Sequence, residues 1–221
     1  MDKREALKII TTCAKKYKEN LDGNNLLIIS LLNKALSHIE LKFIGSNYLH
    51  LTGIATQLKA SIFYDKCISG KLSLDDFNMK IDGTTVQKLT ILPKLMDLYK
   101  NTNIVGQYNG TKAKLCTDKL AGNIIGCLGL TKQGKYYIPN TALKEDIRDY
   151  ICKTEKVIAI FGKRFNDKLY NKLLYVSKEQ EISITSEILN IIDIDNFTVE
   201  FRQDNPLIEQ LRTLRFTGTE N

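Results

Sequence analysis

Only two histidines, His38 and His50, occur in this chain of 221 residues, which excludes a histidine-rich metal centre. The cysteines, Cys13, Cys67, Cys116, Cys127 and Cys152, are odd in number and widely spaced, and no CxxC pair occurs. That pattern argues against a disulfide framework and a zinc site, and it suits a reducing cytosol. No secretory signal core is present, and no apolar run approaches the roughly 18 residues that mark a bilayer span. Leu26–Leu32 is apolar but gives way at once to Asn33 and Lys34. A soluble, cytoplasmic protein without a membrane partner is expected. GxSxG, HExxH, EF-hand and dinucleotide-binding glycine motifs are missing as well, so no cofactor is expected.

What is there is an ordinary globular composition, 43% hydrophobic and 26% charged, long enough for one large domain or a domain with an appended piece. A core of that size forms without disulfides or metal. The net charge is +7. Such a surplus favours a polyanion through phosphate contacts and counterion release, but a solvated lysine-rich surface explains it equally well.

Along the chain the hydrophobic period changes once. Residues 2–19 read as an amphipathic helix, with Ala6, Ile9, Ile10, Cys13, Ala14 and Tyr17 on one face and lysines on the other, stopped by Gly23. Leu26–Leu32 reads as a buried strand. Ile39, Leu41 and Phe43 then alternate with Glu40 and Lys42, as in a half-exposed strand. Helices follow over 55–69, near Ser73–Asp76, and from about Thr84 to Lys100, where Val86, Leu89, Leu92, Leu95, Met96 and Tyr99 face inward and Pro93 kinks or splits the rod. From Asn103 the period is strand-like, with candidates at Ile104–Asn109, Ala113–Thr117, Asn123–Leu130, Tyr136–Pro139, Val157–Lys163 and Lys172–Ser177. A helix near 186–192, a strand Phe197–Arg202 and a last helix after Pro206 complete the chain. The fold class is therefore α+β, helices packed on a meandering antiparallel sheet.

Few motifs survive inspection. Gly129-Leu-Thr-Lys-Gln-Gly134-Lys135 matches the first seven positions of a P-loop, but Tyr136 stands where a magnesium-binding hydroxyl belongs. A strand follows where a P-loop needs a helix, so Lys132, Gly134 and Lys135 read as a hairpin tip. The paired acids Asp75-Asp76 and Glu145-Asp146 sit at helix starts, where carboxylates complement the dipole. Any phosphodiester chemistry is expected to proceed without a metal ion.

Two features remain. The segment Lys153–Lys172 carries Lys153, Lys156, Lys163, Arg164, Lys168 and Lys172 against Glu155 and Asp167, with Phe161, Phe165 and Tyr170 interleaved. Cations beside stacking rings suit a single-stranded RNA groove, although an edge hairpin with lysines outward shows the same pattern. His50, flanked by Leu49 and Leu51, sits at a strand-to-helix junction with Gly53 as hinge. A histidine among apolar neighbours is commonly a satisfied core residue, yet a junction of this kind exposes side chains to clefts, where imidazole can donate or accept a proton near neutral pH.

The string Phe43-Ile-Gly-Ser-Asn-Tyr-Leu-His-Leu-Thr-Gly-Ile54 resembles the opening of the phage-associated barnase–EndoU–colicin–RelE-like nuclease domains, type four, of phages and mobile elements. The resemblance continues through Ala60-Ser-Ile-Phe63-Tyr-Asp65, Leu128-Gly129-Leu130 and Tyr137-Ile-Pro139-Asn-Thr141-Ala-Leu143, and covers roughly residues 24–178. It implies a nuclease-like α+β domain over 24–178, with an N-terminal helix over 1–23 and a C-terminal extension over 179–221 packed on that core. It also implies RNA cleavage by metal-free acid–base chemistry, in which a ribose 2′-hydroxyl attacks the adjacent phosphate. His50 would be the acid or base. Thr141 would stand where a small hydroxyl residue, commonly Ser, is expected. Lys163 and Arg164 would neutralise phosphate, Tyr170 would stack on a base or donate a proton, and Arg148, Lys168 and Lys172 would extend the nucleic-acid surface. Implied partners are tRNA or mRNA, and a protein partner in host defence or an immunity protein.

Two other readings stay open at this stage. The nuclease-like fold could serve as a non-catalytic anti-defence or nucleic-acid-binding module, a reading motivated by the departure at Thr141 and by the terminal elements. It could also carry ADP-ribosyl transfer, with Tyr48, His50 and Tyr64 around a nicotinamide cofactor, although no terminal acid is apparent.

Overall fold

The computed structural model describes residues 1–112, 115–178, 185–200 and 205–217. Helix α1 (Lys3–Asn20) starts where the Asp2 carboxylate accepts the Glu5 N–H at 2.8 Å. It buries Ala6, Ile10, Cys13, Ala14 and Tyr17 at helical spacing, and Gly23 turns the chain out at φ 75°. Strand β1 (Asn24–Leu32) follows, and its apolar run is buried on both faces because it lies between two strands and under two layers of cover. Asn33 and Lys34, both at positive φ, make the two-residue turn into β2 (Ala35–Lys42), a turn whose twist matches that of the strands it joins.

Four helices come next: α2 (Tyr48–Thr52), α3 (Ala60–Ile68), α4 (Thr84–Leu95) and α5 (Leu98–Asn101). The long helix expected from Thr84 to Lys100 is split two residues beyond Pro93, and Ile91 rather than Val86 faces the core. The expected strand Asn123–Leu130 is instead a hairpin, β4 (Lys119–Gly122) and β5 (Cys127–Gln133), because the Asn123 carboxamide accepts the Ile125 and Gly126 N–H groups and forces a turn. The strand expected over 113–117 does not form at 115–117, and 113–114 lie outside the described residues. The other strands are β3 (Ile104–Gln107), β6 (Tyr136–Leu143), β7 (Glu155–Arg164), β8 (Lys172–Val176) and β9 (Thr198–Val199). The strand expected over Phe197–Arg202 reduces to these last two residues among the described ones.

The sheet runs β1-β2-β6-β5-β4-β3-β7-β8-β9, and β1 also pairs with β7. That extra pairing closes seven strands into a ring, with β8 and β9 continuing from β7 outside it. The fold is α+β and mostly antiparallel, with parallel exceptions at β2–β6 and β8–β9. Inward residues such as Ile28, Ile39, Val105, Ala121, Leu128 and Val157 share one cluster with the helices, including α1. Outward residues Leu27, Ile29, Phe161 and Leu173 form a second cluster with α6 (Ser186–Leu189) and α7 (Pro206–Thr217) through Ile188, Ile208 and Leu211. No helix is long and apolar enough to cross a membrane among the described residues.

Candidate nucleic-acid interface

The register places Asn25 opposite Lys42 on one side and opposite Lys163 on the other. Cross-strand partners share a face, so Lys42, Asn25 and Lys163 form a row across β2, β1 and β7 on the outer side of the ring. Asn25 is 3% exposed and its Oδ1 has no hydrogen-bond partner among the described residues, an uncommon state for a buried amide. Lys42 Nζ lies 5.6 Å from the Tyr136 ring centroid and 5.0 Å from that of Phe165, a cation between two rings. Lys163 Nζ lies 4.6 Å from the Tyr170 ring and donates to the Lys168 carbonyl at 2.7 Å.

One step along β2 on the same face is Glu40. Its carboxylate accepts the Tyr170 hydroxyl at 2.8 Å and faces the Lys135 ammonium at 3.2 Å, so β2, the β5–β6 hairpin and the β7–β8 loop are tied at one point. Burial, with the Glu40 charge adding to it, pushes the Tyr170 phenol far above the ordinary tyrosine range. Burial pulls the Lys163 ammonium down, and Glu40 opposes that shift. Tyr170 is wholly buried, which leaves no ring face for a nucleobase. Its geometry is that of a positioning residue for Glu40 and a floor for Lys163. The cations near this row that solvent reaches are Lys42 and the exposed Lys135 and Lys168.

The remaining expected residues lie elsewhere. Lys163 and Arg164 are consecutive in a strand and so face opposite sides. Arg164 and Lys172 line a narrow cleft of about 90 Å³ together with Glu19 and Glu200, and Lys172 faces Glu200 at 3.8 Å. Arg148 is turned back on Asp146, which also caps its own turn. Thr141 is nearly buried on β6, opposite Gly129. His50 is exposed on α2, and no side-chain hydrogen bond, ion pair or ring contact engages its imidazole among the described residues. Its carbonyl accepts the Lys88 ammonium at 2.9 Å. Gly53, at φ 68°, leaves room for that lysine, since a Cβ there would lie 2.7 Å from Lys88 Cδ. Burial, with Lys80 adding to it, pulls Lys88 down to about 8.

Contacts therefore bring Lys163 and Tyr170 together and, among the described residues, link neither to His50 or Thr141. Those two lie on adjoining elements, because β2 runs parallel to β6 with Leu41 opposite Tyr137, and α2 packs against β6. Tyr48 and Tyr64 are buried in the aromatic cluster around Tyr17 and offer no face to a nicotinamide cofactor. Among the described residues, no three of His, Cys, Asp and Glu gather as a metal-holding group.

Asn25, Glu40, Lys42 and Lys135 were not singled out from the sequence. The alternation in β2 puts Glu40 and Lys42 on one face, but only the pairing of β1 with both β2 and β7 puts Lys163 beside them.

The family model described as phage-Barnase-EndoU-ColicinE5/D-RelE like nuclease 4 matches residues 9–179, from within α1 to just past β8. No curated protein and no solved structure matches the chain.

Proposed function

The chain belongs to the phage-Barnase-EndoU-ColicinE5/D-RelE like nuclease 4 family, and from that premise we propose that it is a metal-independent endoribonuclease that binds RNA over the Lys42–Asn25–Lys163 row. The observation that carries this reading is the row itself: two cations flank a buried amide whose Oδ1 has no partner among the described residues, and aromatic rings flank Lys42. RNA phosphates meet Lys42, Lys135 and Lys168 at the surface, and an unstacked base lies against the exposed Phe165. Lys163 acts from below through its field. Cleavage uses the ribose 2′-hydroxyl as nucleophile, and His50, whose imidazole is free, moves the proton, with Thr141 as an adjoining hydroxyl on β6.

The test is cleavage of total cellular RNA and purified tRNA in EDTA by wild type, His50→Ala and Lys42→Ala. His50→Ala is expected to bind RNA normally and lose cleavage by at least about 10²-fold, the usual lower bound for proton-transfer groups. Lys42→Ala is expected to weaken binding and flatten its salt dependence. RNA left intact by wild type, but bound in a Lys42-dependent way, would move the protein to a non-catalytic nucleic-acid-binding role. That alternative is favoured by the burial of Thr141, Lys163 and Tyr170.

A further inference from the structure

The closed ring has an inside, and its two ends differ. Through the middle the inward positions are apolar, as at Ile28, Ile39, Val105 and Leu130. One step further along each strand, away from the helices, the inward positions turn polar together: Ser30 and Ser37, which are cross-strand partners, Glu155 opposite Val105, and Lys119 two residues before Ala121. Glu155 Oε2 accepts from Ser30 at 2.6 Å and from Ser37 at 2.7 Å, while Oε1 faces the Lys119 ammonium at 3.6 Å. Burial raises the carboxyl, but the serine hydroxyls and Lys119 outweigh it and hold Glu155 below the ordinary glutamate range.

One more layer of leucine or valine would close this end at no cost in stability, since buried ion pairs contribute little net over well-packed apolar residues. The ring instead opens there onto a cavity of about 370 Å³ whose wall includes Asp118, Lys119, Lys132 and Tyr137. That volume lies within the range of small-ligand sites, and barrel mouths are a recurrent place for them. Lys132 is exposed and forms no ion pair among the described residues. Lys132 and Tyr137 are cross-strand partners, and Lys119 is diagonal to Lys132 across β4 and β5. The cavity thus presents one cation held by a buried carboxylate, a second whose ammonium forms no ion pair among the described residues, a phenol, and the Asp118 carboxylate, which accepts the Lys132 backbone N–H at 2.7 Å. The phenol is a donor at neutral pH, and burial, with Asp118 and Glu155 adding to it, raises it further above the range where it would ionise.

We propose that the open mouth of the ring is a phosphate-monoester pocket, in which Lys119 and Lys132 hold the phosphate, Tyr137 donates to it, and Glu155 positions Lys119, with nucleoside monophosphates as the probes. It faces the interior of the ring. The RNA row lies on the outer face, so the β5–β6 hairpin separates the two, with Lys132 and Tyr137 on one side and Lys135 and Tyr136 on the other.

Isothermal titration of the full chain with AMP, GMP, CMP and UMP tests this, with adenosine and inorganic phosphate as controls. Nucleoside monophosphates are expected to bind in the millimolar range or tighter, and adenosine at least about tenfold more weakly. Lys132→Ala, an exposed site whose change spares the fold, is expected to weaken nucleotide binding about tenfold. Glu155→Gln is expected to weaken it severalfold; if that variant unfolds, Lys132→Ala decides alone. Oligoribonucleotides with and without a 5′-phosphate distinguish an RNA end from a free nucleotide as the source. Nucleotide binding that is absent, indifferent to the phosphate, or unchanged in Lys132→Ala overturns the proposal. Because Lys132 is not part of the outer row, loss of nucleotide binding and failure of RNA cleavage are separate results.

Discussion

Replacing Tyr170 by Phe removes one oxygen from a ring that is otherwise fully packed, so the change isolates the hydrogen bond to Glu40. That bond is 2.8 Å long and ends on a carboxylate whose side chain is 11% exposed. Hydrogen bonds to charged groups contribute about 1.5–3 kcal/mol. Glu40 keeps the Lys135 ammonium at 3.2 Å and some access to water, which reduces the expected loss to about 1–2 kcal/mol. In a chain of this length each kcal/mol moves the thermal midpoint by about 2–4 °C, so a fall of about 2–8 °C is expected. Equilibrium denaturation should show a lower midpoint with an unchanged slope, because the variant stays as compact as wild type. RNA binding should persist, since the ring beneath Lys163 remains. A stability within about 0.3 kcal/mol of wild type would refute the view of Tyr170 as the buried clasp on Glu40, because so small an effect is typical of an exposed pair. Lost RNA binding with full stability would instead return the phenol to a direct role at the interface.

Three further outcomes follow from particular contacts. Lys66 and the backbone and hydroxyl of Ser73 hold Asp76 down to about 2, so its stabilisation is present above about pH 4 and fades as pH falls toward 2. Asp76→Asn should therefore flatten the acid limb of a stability–pH profile, and an unchanged limb would exclude that contribution. Lys88 lies at about 8, below a free lysine, so from pH 8 upward the folded state holds fewer protons there than the unfolded state, and this site adds stability as pH rises. The midpoint of wild type relative to Lys88→Met should then climb between about pH 8 and 10, and a constant difference would contradict it. A Cβ at Gly129 would lie 2.5 Å from Thr141 Cγ2 and 2.8 Å from Thr117 Oγ1. Gly129→Ala should cost about 1–3 kcal/mol in denaturation, and Thr141→Ser, which deletes that methyl, should recover part of the loss in the double variant.

Much of the chain was legible one element at a time. The 3.6-residue spacing of Ala6, Ile10, Cys13 and Tyr17 marked α1, and the two-residue alternation of Ile39 and Leu41 with Glu40 marked β2, because each period is a local property of the backbone. The hairpin at Gly134 was readable from its turn chemistry, and so was the family, from strings concentrated around Phe43–Ile54 and Tyr137–Leu143. The Asn123 turn was misplaced because a side-chain amide capping two backbone donors leaves no trace in hydropathy.

Composition and period by themselves determined an α+β chain with isolated cysteines and no apolar run long enough to span a bilayer, and the family strings added the nuclease likeness, since each of these depends on residue type and near-neighbour spacing. Tertiary structure alone decided what each candidate residue can reach. Lys42, Asn25 and Lys163 become a row only because β1 pairs on both sides, and Ser30, Ser37, Lys119 and Glu155 meet only because that same pairing closes the ring. Strand pairing joins residues more than a hundred positions apart, and no local period records which strands will become neighbours.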